Sequence, residues 1–308
     1  MKTIEGSKLM WGLTEDQESY KVVSTIAKTL PAGVYQPDIT QNGVIYYSPL
    51  EFPGDETVSL PGLPSDYILE QIAKFWSRQE QYIKLGFVPK RGIMLYGPPG
   101  CGKTSIIRLL CADIVKDGGI VFNFRGFSAA AVLLKKFRSI EPDRPILALF
   151  EDMDGMINTG SDTSSSTRAA LSLLDGQDQI SNVVYVATTN FPDLLADRFI
   201  KRPGRFDLII GVNTPTKRTR EAYLRHVCKG LIPEDLVKEI VDKTGGLSLA
   251  YLKEIASMRL CLDISVDETL ERVLGDAKRK KFVGSNQEKE VGFVMGYAGS
   301  LTDNKEEY

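Results

Sequence analysis

From Ser65 onward the chain alternates between helical stripes and short, wholly apolar runs. Ile68, Ile72, Phe75 and Trp76 recur at helical spacing within residues 67–85 and predict an amphipathic helix. Strand-length apolar runs follow at Ile93 to Tyr96, Ile120 to Phe122, Ile146 to Phe150, Val183 to Ala187 and Leu208 to Ile210. Helical patterns separate them, from about Lys103, from Ala129 to Phe137 and from Thr167 to Leu174. Strands apolar on both sides, with helices between them, predict an α/β fold whose parallel sheet is covered on both faces. After about residue 215 the strand pattern stops, and three or four amphipathic helices predict a small helical lid domain.

The first 60 residues read as a small separate region. Thr14 and Gln17 have capping-box spacing ahead of a helical pattern through Val22, Ile26 and Leu30. Asn42-Gly43 before Val44 to Tyr47 predicts a hairpin turn, with Pro37 weakening its first strand. The proline- and glycine-rich stretch from Phe52 to Pro64 reads as a linker. The expected organisation is therefore an N-terminal region at 1–60, an α/β domain at 61–213, a lid at 214–282 and a polar tail at 283–308.

Composition narrows the function. Hydrophobic residues make up 43% of the 308 and charged residues 25%, enough apolar material for a large core. Lys and Arg total 38 against 40 Asp and Glu, so no global basic excess exists to hold a polyanion. The four cysteines (Cys101, Cys111, Cys228, Cys261) include no CxxC pair and His226 is the one histidine, which argues against a Cys/His zinc site. Apolar runs fall far short of the ~20 residues that span a bilayer. The N-terminus has no apolar segment with a cleavage site. The expectation is a cytoplasmic protein with no membrane insertion.

Gly97-Pro98-Pro99-Gly100-Cys101-Gly102-Lys103-Thr104, with Ser105 next, satisfies GxxxxGK[ST] between a predicted strand and helix. The glycines let successive N–H groups turn inward around phosphates, and the following helix presents its positive end. Lys103 can reach the β- and γ-phosphates and the Thr104 hydroxyl can ligate Mg2+, which predicts ATP and Mg2+ as ligands. A second element should close another strand. Ile146 to Phe150 runs into Glu151-Asp152-Met153-Asp154. One carboxylate there can hold Mg2+ and the next can orient and deprotonate a water. The order reverses the usual Asp-Glu. By register Glu151 takes the magnesium side, together with Thr104, and Asp152 the base.

Val186-Ala187-Thr188-Thr189-Asn190 and then Arg202-Pro203-Gly204-Arg205-Phe206-Asp207 together resemble the second region of homology of AAA ATPases. Within that superfamily the chain is most similar to the Bcs-type branch, the mitochondrial complex III assembly chaperone and its bacterial and phage relatives. The likeness runs through Phe75-Trp76-Ser77-Arg78-Gln79-Glu80-Gln81-Tyr82, Arg91 to Gly100, the Glu151-Asp152 order and Leu173-Leu174-Asp175-Gly176, over roughly residues 65–212. It implies a five-stranded parallel sheet of order 5-1-4-3-2, a C-terminal helical lid and a homo-oligomeric ring of six or seven subunits. Asn190 then matches sensor 1, and Arg202 and Arg205 match the arginine fingers offered to a neighbour. No arginine opens the predicted lid helix near Leu249-Ala250-Tyr251, where sensor 2 would stand.

Weaker signals are ambiguous on sequence alone. Phe127 suits a helix start better than a central channel, and TGSDTSSST at 159–167 reads as a loop. Lys278-Arg279-Lys280-Lys281 reads as a solvated helix end ahead of a nucleic-acid patch. The leading expectation is a ring ATPase that remodels a macromolecular partner, protein ahead of nucleic acid. The alternatives are a nucleic-acid-handling module such as a helicase loader and a nucleotide-gated scaffold with little turnover.

Overall fold

The computed structural model describes residues 10–13, 20–23, 29–51, 58–158, 163–202 and 204–285. The chain separates into two units, divided between Val212 and Asn213.

The first unit is built on one sheet. Its strands are β1 (Met10–Leu13), β2 (Tyr20–Val23), β3 (Gly33–Ile39), β4 (Ile45–Pro49), β5 (Lys90–Tyr96), β6 (Ile120–Asn123), β7 (Ile146–Phe150), β8 (Val183–Thr189) and β9 (Leu208–Gly211). Their order is β1-β2-β4-β3-β6-β7-β8-β5-β9. The strands from β5 to β9 pair in parallel and β1 to β4 pair antiparallel. Helices α1 (Ser65–Ser77), α2 (Gln79–Lys84), α3 (Lys103–Lys116), α4 (Ala130–Arg138), α5 (Met153–Asn158), α6 (Thr163–Leu174) and α7 (Pro192–Leu195) fill the connections, and a wide π-helical segment follows at Ala196–Ile200.

The strands β9-β5-β8-β7-β6 are parallel and run in the expected order 5-1-4-3-2, but the expected extent of five strands is corrected. Nine strands share one mixed sheet, because β3 joins the outer edge of β6 in parallel through Gly33↔Ile120, Val34↔Val121 and Tyr35↔Phe122. Side-chain packing holds the addition. The Tyr47 ring lies tilted at 38° with its centroid 5.2 Å from that of Phe122, and its hydroxyl donates to Leu133 O at 2.9 Å. The buried Glu141 carboxylate accepts the Leu30 N–H at 2.6 Å and pairs with Arg144 at 2.8 Å. Residues 29–51 thus belong to the same sheet as the phosphate-loop strand rather than standing apart from it.

Alternation along the buried strands divides the core in two. Ile93, Leu95, Leu147, Leu149, Val184 and Val186 pack under α1 and α3. Met94, Ala148, Phe150, Val183, Tyr185 and Ala187 pack under α4, α5 and α6. Phe127 joins this second face, stacked at 4.2 Å on Phe150, so it packs in the bend just ahead of α4 rather than starting the helix.

Three local expectations change. Tyr20–Val23, assigned to a helix by its apolar spacing, is a strand pairing with β1 and β4, as suits its aromatic and β-branched residues. The Thr14–Gln17 capping box and Ile26 lie outside the described residues. The helix expected over 67–85 breaks at Arg78, where φ is −117°. Thr163 onward is helical, while 159–162 lie outside the described residues.

The second unit holds α8 (Lys217–Cys228), α9 (Glu234–Lys243), α10 (Leu249–Cys261) and α11 (Val266–Ser285) among its described residues. Leu224, Val237, Ile240, Leu252, Ile255, Leu270 and Val273 are buried in it. Thr216 caps α8 by accepting the Thr219 N–H. The buried Arg220 guanidinium donates to Pro215 O and Val241 O. The side chains of the basic run 278–281, and the tail from 286, are not among the described residues.

Candidate active site

β5 ends at Tyr96 and α3 begins at Lys103, so the glycine-rich loop connects a buried strand to a helix N-terminus. Gly97, Gly100 and Gly102 take φ of 143°, 75° and 111°. Such angles admit glycine far more readily than residues with a Cβ. A Cβ on Gly97 would also stand 2.3 Å from Val212 O, so the loop's first turn is closed to larger residues. Cys101 is buried within the loop, and burial raises its thiol pKa, which leaves it a small unreactive filler.

Lys103 folds back over this loop. Its Nζ donates to Gly97 O at 2.6 Å, Pro98 O at 3.0 Å and Asn190 Oδ1 at 2.7 Å. Burial lowers its pKa below the ordinary lysine value, countered by nearby Cys101, Asp152 and Asp154. Thr104 and Ser105 lie in the first turn of α3, with Thr104 exposed.

The acidic turn leaves β7 beside the end of β8. Asp152 is exposed and has a left-handed backbone, φ 51°. Its N–H donates to Thr188 Oγ1 at 2.9 Å, and its Oδ1 lies 3.4 Å from Asn190 Nδ2. Thr189 Oγ1 donates to Asp154 Oδ1 at 2.6 Å and accepts the Phe191 N–H at 2.9 Å. Glu151 is half-buried, and its pKa is raised by that burial and by Asp152, against the lowering effect of Arg108 on α3. Lys103, Asp152 and Asn190, predicted from separate motifs, are therefore joined in one hydrogen-bonded chain. Thr188, Thr189 and Arg108 were not singled out from sequence. The available signal was the pair of threonines where an otherwise apolar strand ends.

Arg202 and Arg205 part company. Arg202 is exposed, whereas Arg205 is 6% exposed, pairs through Nε with Asp175 Oδ2 at 2.6 Å and donates from a terminal nitrogen to Arg198 O. Arg205, expected to reach into a neighbour, has its guanidinium engaged on Asp175 and Arg198 within its own unit. The same segment is pinned to β5, since Gly92 N–H donates to Asp207 Oδ2 and Asp207 N–H to Gly92 O, each at 2.9 Å. Arg168, Arg198, Arg202 and Arg205 line a pocket of about 370 Å³ with Thr167 and Leu171.

These residues suit a nucleotide triphosphate with Mg2+. A left-handed glycine loop opening onto a helix N-terminus, with a lysine beside it, provides donors for phosphate oxygens. Among the described residues no group of three or more His, Cys, Asp or Glu side chains is arranged to hold a metal ion by itself. A Thr104 hydroxyl and one carboxylate fit Mg2+, which keeps several waters and shares its shell with substrate phosphates.

Comparison with known proteins agrees. Residues 93–214 match the family model described as "ATPase family associated with various cellular activities (AAA)". An ATP-dependent zinc metalloprotease FtsH 1 of Methylacidiphilum infernorum is 29% identical over 250 residues, 73% of this chain and 39% of that protein. An ATPase family protein 2 homolog of Caenorhabditis elegans is 34% identical over 223 residues, 66% of this chain and 30% of that protein. The human ATPase family gene 2 protein homolog A is 28% identical over 244 residues. The chain thus spans well under half the length of these relatives. Loop, acidic turn and matched residues coincide, so the chain carries an AAA ATPase domain, an enzyme domain that binds ATP with Mg2+ and hydrolyses it.

Proposed function

We propose that this chain is a subunit of a homo-oligomeric ring ATPase, of six or seven subunits by family resemblance, that remodels a protein partner. The observation that carries the site assignment is the hydrogen-bonded chain Lys103–Asn190–Asp152 at the ends of β5, β8 and β7. Lys103 leaves the loop carbonyls to face the β- and γ-phosphates, which the backbone N–H groups of the loop's non-proline residues and of the first turn of α3 would also hold. Thr104 and Glu151 hold Mg2+, which when bound neutralises charge on the transferring phosphoryl group. Asp152 accepts a proton from the attacking water, and Asn190 orients that water. Of the two motif arginines, Arg202 is free to act as the finger in a neighbouring active site, while Arg205 shapes the segment that presents it. The exposed position of Arg202 beside Arg168 and Arg198 supports that division.

The helical second unit is read as the lid, and the polar stretch beyond it as a tail. The finer likeness to the Bcs-type branch rests on the motif runs given above. The name of the FtsH relatives speaks of an ATP-dependent zinc metalloprotease. Protein remodelling follows from it by analogy, whereas peptidase chemistry is not carried over, since a single histidine cannot make a two-histidine zinc motif. All four cysteines are free thiols, which suits a reducing cytoplasm.

Lys103→Ala should abolish ATP binding in a titration, and Asp152→Asn should bind ATP while losing turnover. Retained turnover in Asp152→Asn, or affinity within threefold of the parent in Lys103→Ala, refutes these roles. Turnover measured alone, with unfolded protein and with single-stranded DNA identifies the partner class. Stimulation by DNA only would replace the protein-remodelling reading with the nucleic-acid one.

A further inference from the structure

The end of β8 carries two buried hydroxyls that catalysis by Asp152 and Asn190 leaves without a role. We propose that Thr188 is a positioning residue for hydrolysis: its hydroxyl accepts the Asp152 N–H and so fixes the left-handed backbone that turns the Asp152 carboxyl toward Asn190. This rests on the reading of Asp152 as the base.

Backbone pairing between β7 and β8 ends at Phe150↔Ala187, one residue short of the acidic turn. β8 itself continues, because Thr188 and Thr189 still pair with Leu95 and Tyr96 of β5. Beyond that last ladder pair the turn is held by threonine side chains. By strand alternation Thr188 continues the face of Val184 and Val186, and Thr189 the face of Tyr185 and Ala187. The Thr188 hydroxyl accepts the Asp152 N–H and the Thr189 hydroxyl donates to the Asp154 carboxylate, so the turn is clamped from both sides of the sheet.

The clamp matters because Asp152 occupies a left-handed conformation, which aspartate tolerates but does not prefer over the α and β regions. Without an acceptor for its N–H, a β- or α-region backbone would re-aim the carboxyl away from Asn190 Nδ2. Thr188 is 4% exposed, a place where valine would pack as well. Its hydroxyl is accounted for by the hydrogen bond it accepts. Threonine also suits the strand and restricts its own χ1, which keeps that acceptor in place.

The test compares Thr188→Val, Thr188→Ser and Asp152→Asn, singly and with Thr188→Val combined with Asp152→Asn. Thr188→Val keeps the side-chain shape and removes the acceptor, and should lower kcat about 10- to 100-fold, as misplacement of a catalytic group by an ångström does. KM and ATP affinity should stay within threefold. Thr188→Ser should restore kcat to within threefold of the parent. In the Asp152→Asn background Thr188→Val should cause no further loss. A Thr188→Val enzyme with parental kcat, beside an inactive Asp152→Asn, overturns the positioning role and leaves the Asp152 reading standing. Equal losses in valine and serine variants overturn it too. An active Asp152→Asn removes the underlying base assignment instead. If Thr188→Val fails to fold, Thr188→Ala against Thr188→Ser decides by the same split.

Discussion

Removing the Arg205 guanidinium should damage the fold, and removing that of Arg202 should damage turnover. Arg205 is nearly buried, with Nε on Asp175 and a terminal nitrogen on Arg198 O. Breaking one side of a fully buried ion pair costs about 3–5 kcal/mol. Asp175 keeps 31% exposure and can recruit water, so the figure scales down to about 2–3 kcal/mol. For a unit of this size each kcal/mol shifts Tm by about 2–4 °C, so Arg205→Ala should melt about 4–12 °C below the parent. Arg202→Ala, at an exposed position, should melt within about 2 °C of it. Asp175→Ala should resemble Arg205→Ala, and the double variant should fall short of additivity by about 1–2 kcal/mol. Turnover separates the two arginines in the other direction. Arg202→Ala should bind ATP and hydrolyse it about 10³-fold more slowly, the loss typical of a missing finger. Mixing Arg202→Ala subunits, whose phosphate loop is sound, with Lys103→Ala subunits, whose fingers are sound, should restore part of the activity. Recovery should increase with protein concentration. An Arg205→Ala protein with parental Tm refutes the buried-pair reasoning, and an Arg202→Ala protein with parental turnover refutes the finger assignment.

Gly92→Ala places a Cβ 2.0 Å from Arg205 O and 2.9 Å from Phe206 Cα, so it should destabilise the unit by more than about 3 kcal/mol, read as a lost or sharply lowered melting transition. Gly126→Ala, with nothing within 4 Å of the new Cβ, is the matched control and should melt within about 2 °C of the parent. The Glu151 carboxyl titrates above its usual value near 4.5, so the native state holds a proton there that the unfolded chain has released. Unfolding free energy should therefore fall as pH rises through that window, and Glu151→Gln should flatten the profile. Parallel Tm–pH curves for the two proteins would assign the proton elsewhere. Half-saturating Mg2+ should rise as pH falls through the same window, because proton and cation compete for one carboxylate.

The phosphate loop was legible because its requirement is local: three backbone angles that favour glycine, followed by a lysine at fixed spacing. The apolar runs likewise marked β5 to β9, since strands buried on both faces carry no polar interruption. What escaped was decided by distant partners. The aromatic and β-branched residues of Tyr20-Lys21-Val22-Val23 suit a strand, but Val22 is also spaced with Ile26 and Leu30 as in a helix, and pairing with β4 decides between them. Within RPGRFD the two arginines look equivalent, and Asp175, 30 residues earlier, separates them by taking one. The left-handed backbone of Asp152 was equally invisible. Aspartate tolerates that conformation but does not demand it, and the demand comes from a hydroxyl 36 residues away.

The junction between β3 and β6 also sets a schedule for biosynthesis. Gly33 meets Ile120, 87 positions later, and the Tyr47 hydroxyl waits for a carbonyl 86 residues downstream. At about 5–20 residues per second, a ribosome takes about 4–17 s to deliver that partner strand. For that interval the β3–β4 hairpin carries an apolar face and an unpaired edge with nothing to cover them, the kind of surface that nascent-chain chaperones hold. The last tie arrives later still, when Glu141 accepts the Leu30 N–H across 111 residues and closes the longest of these loops.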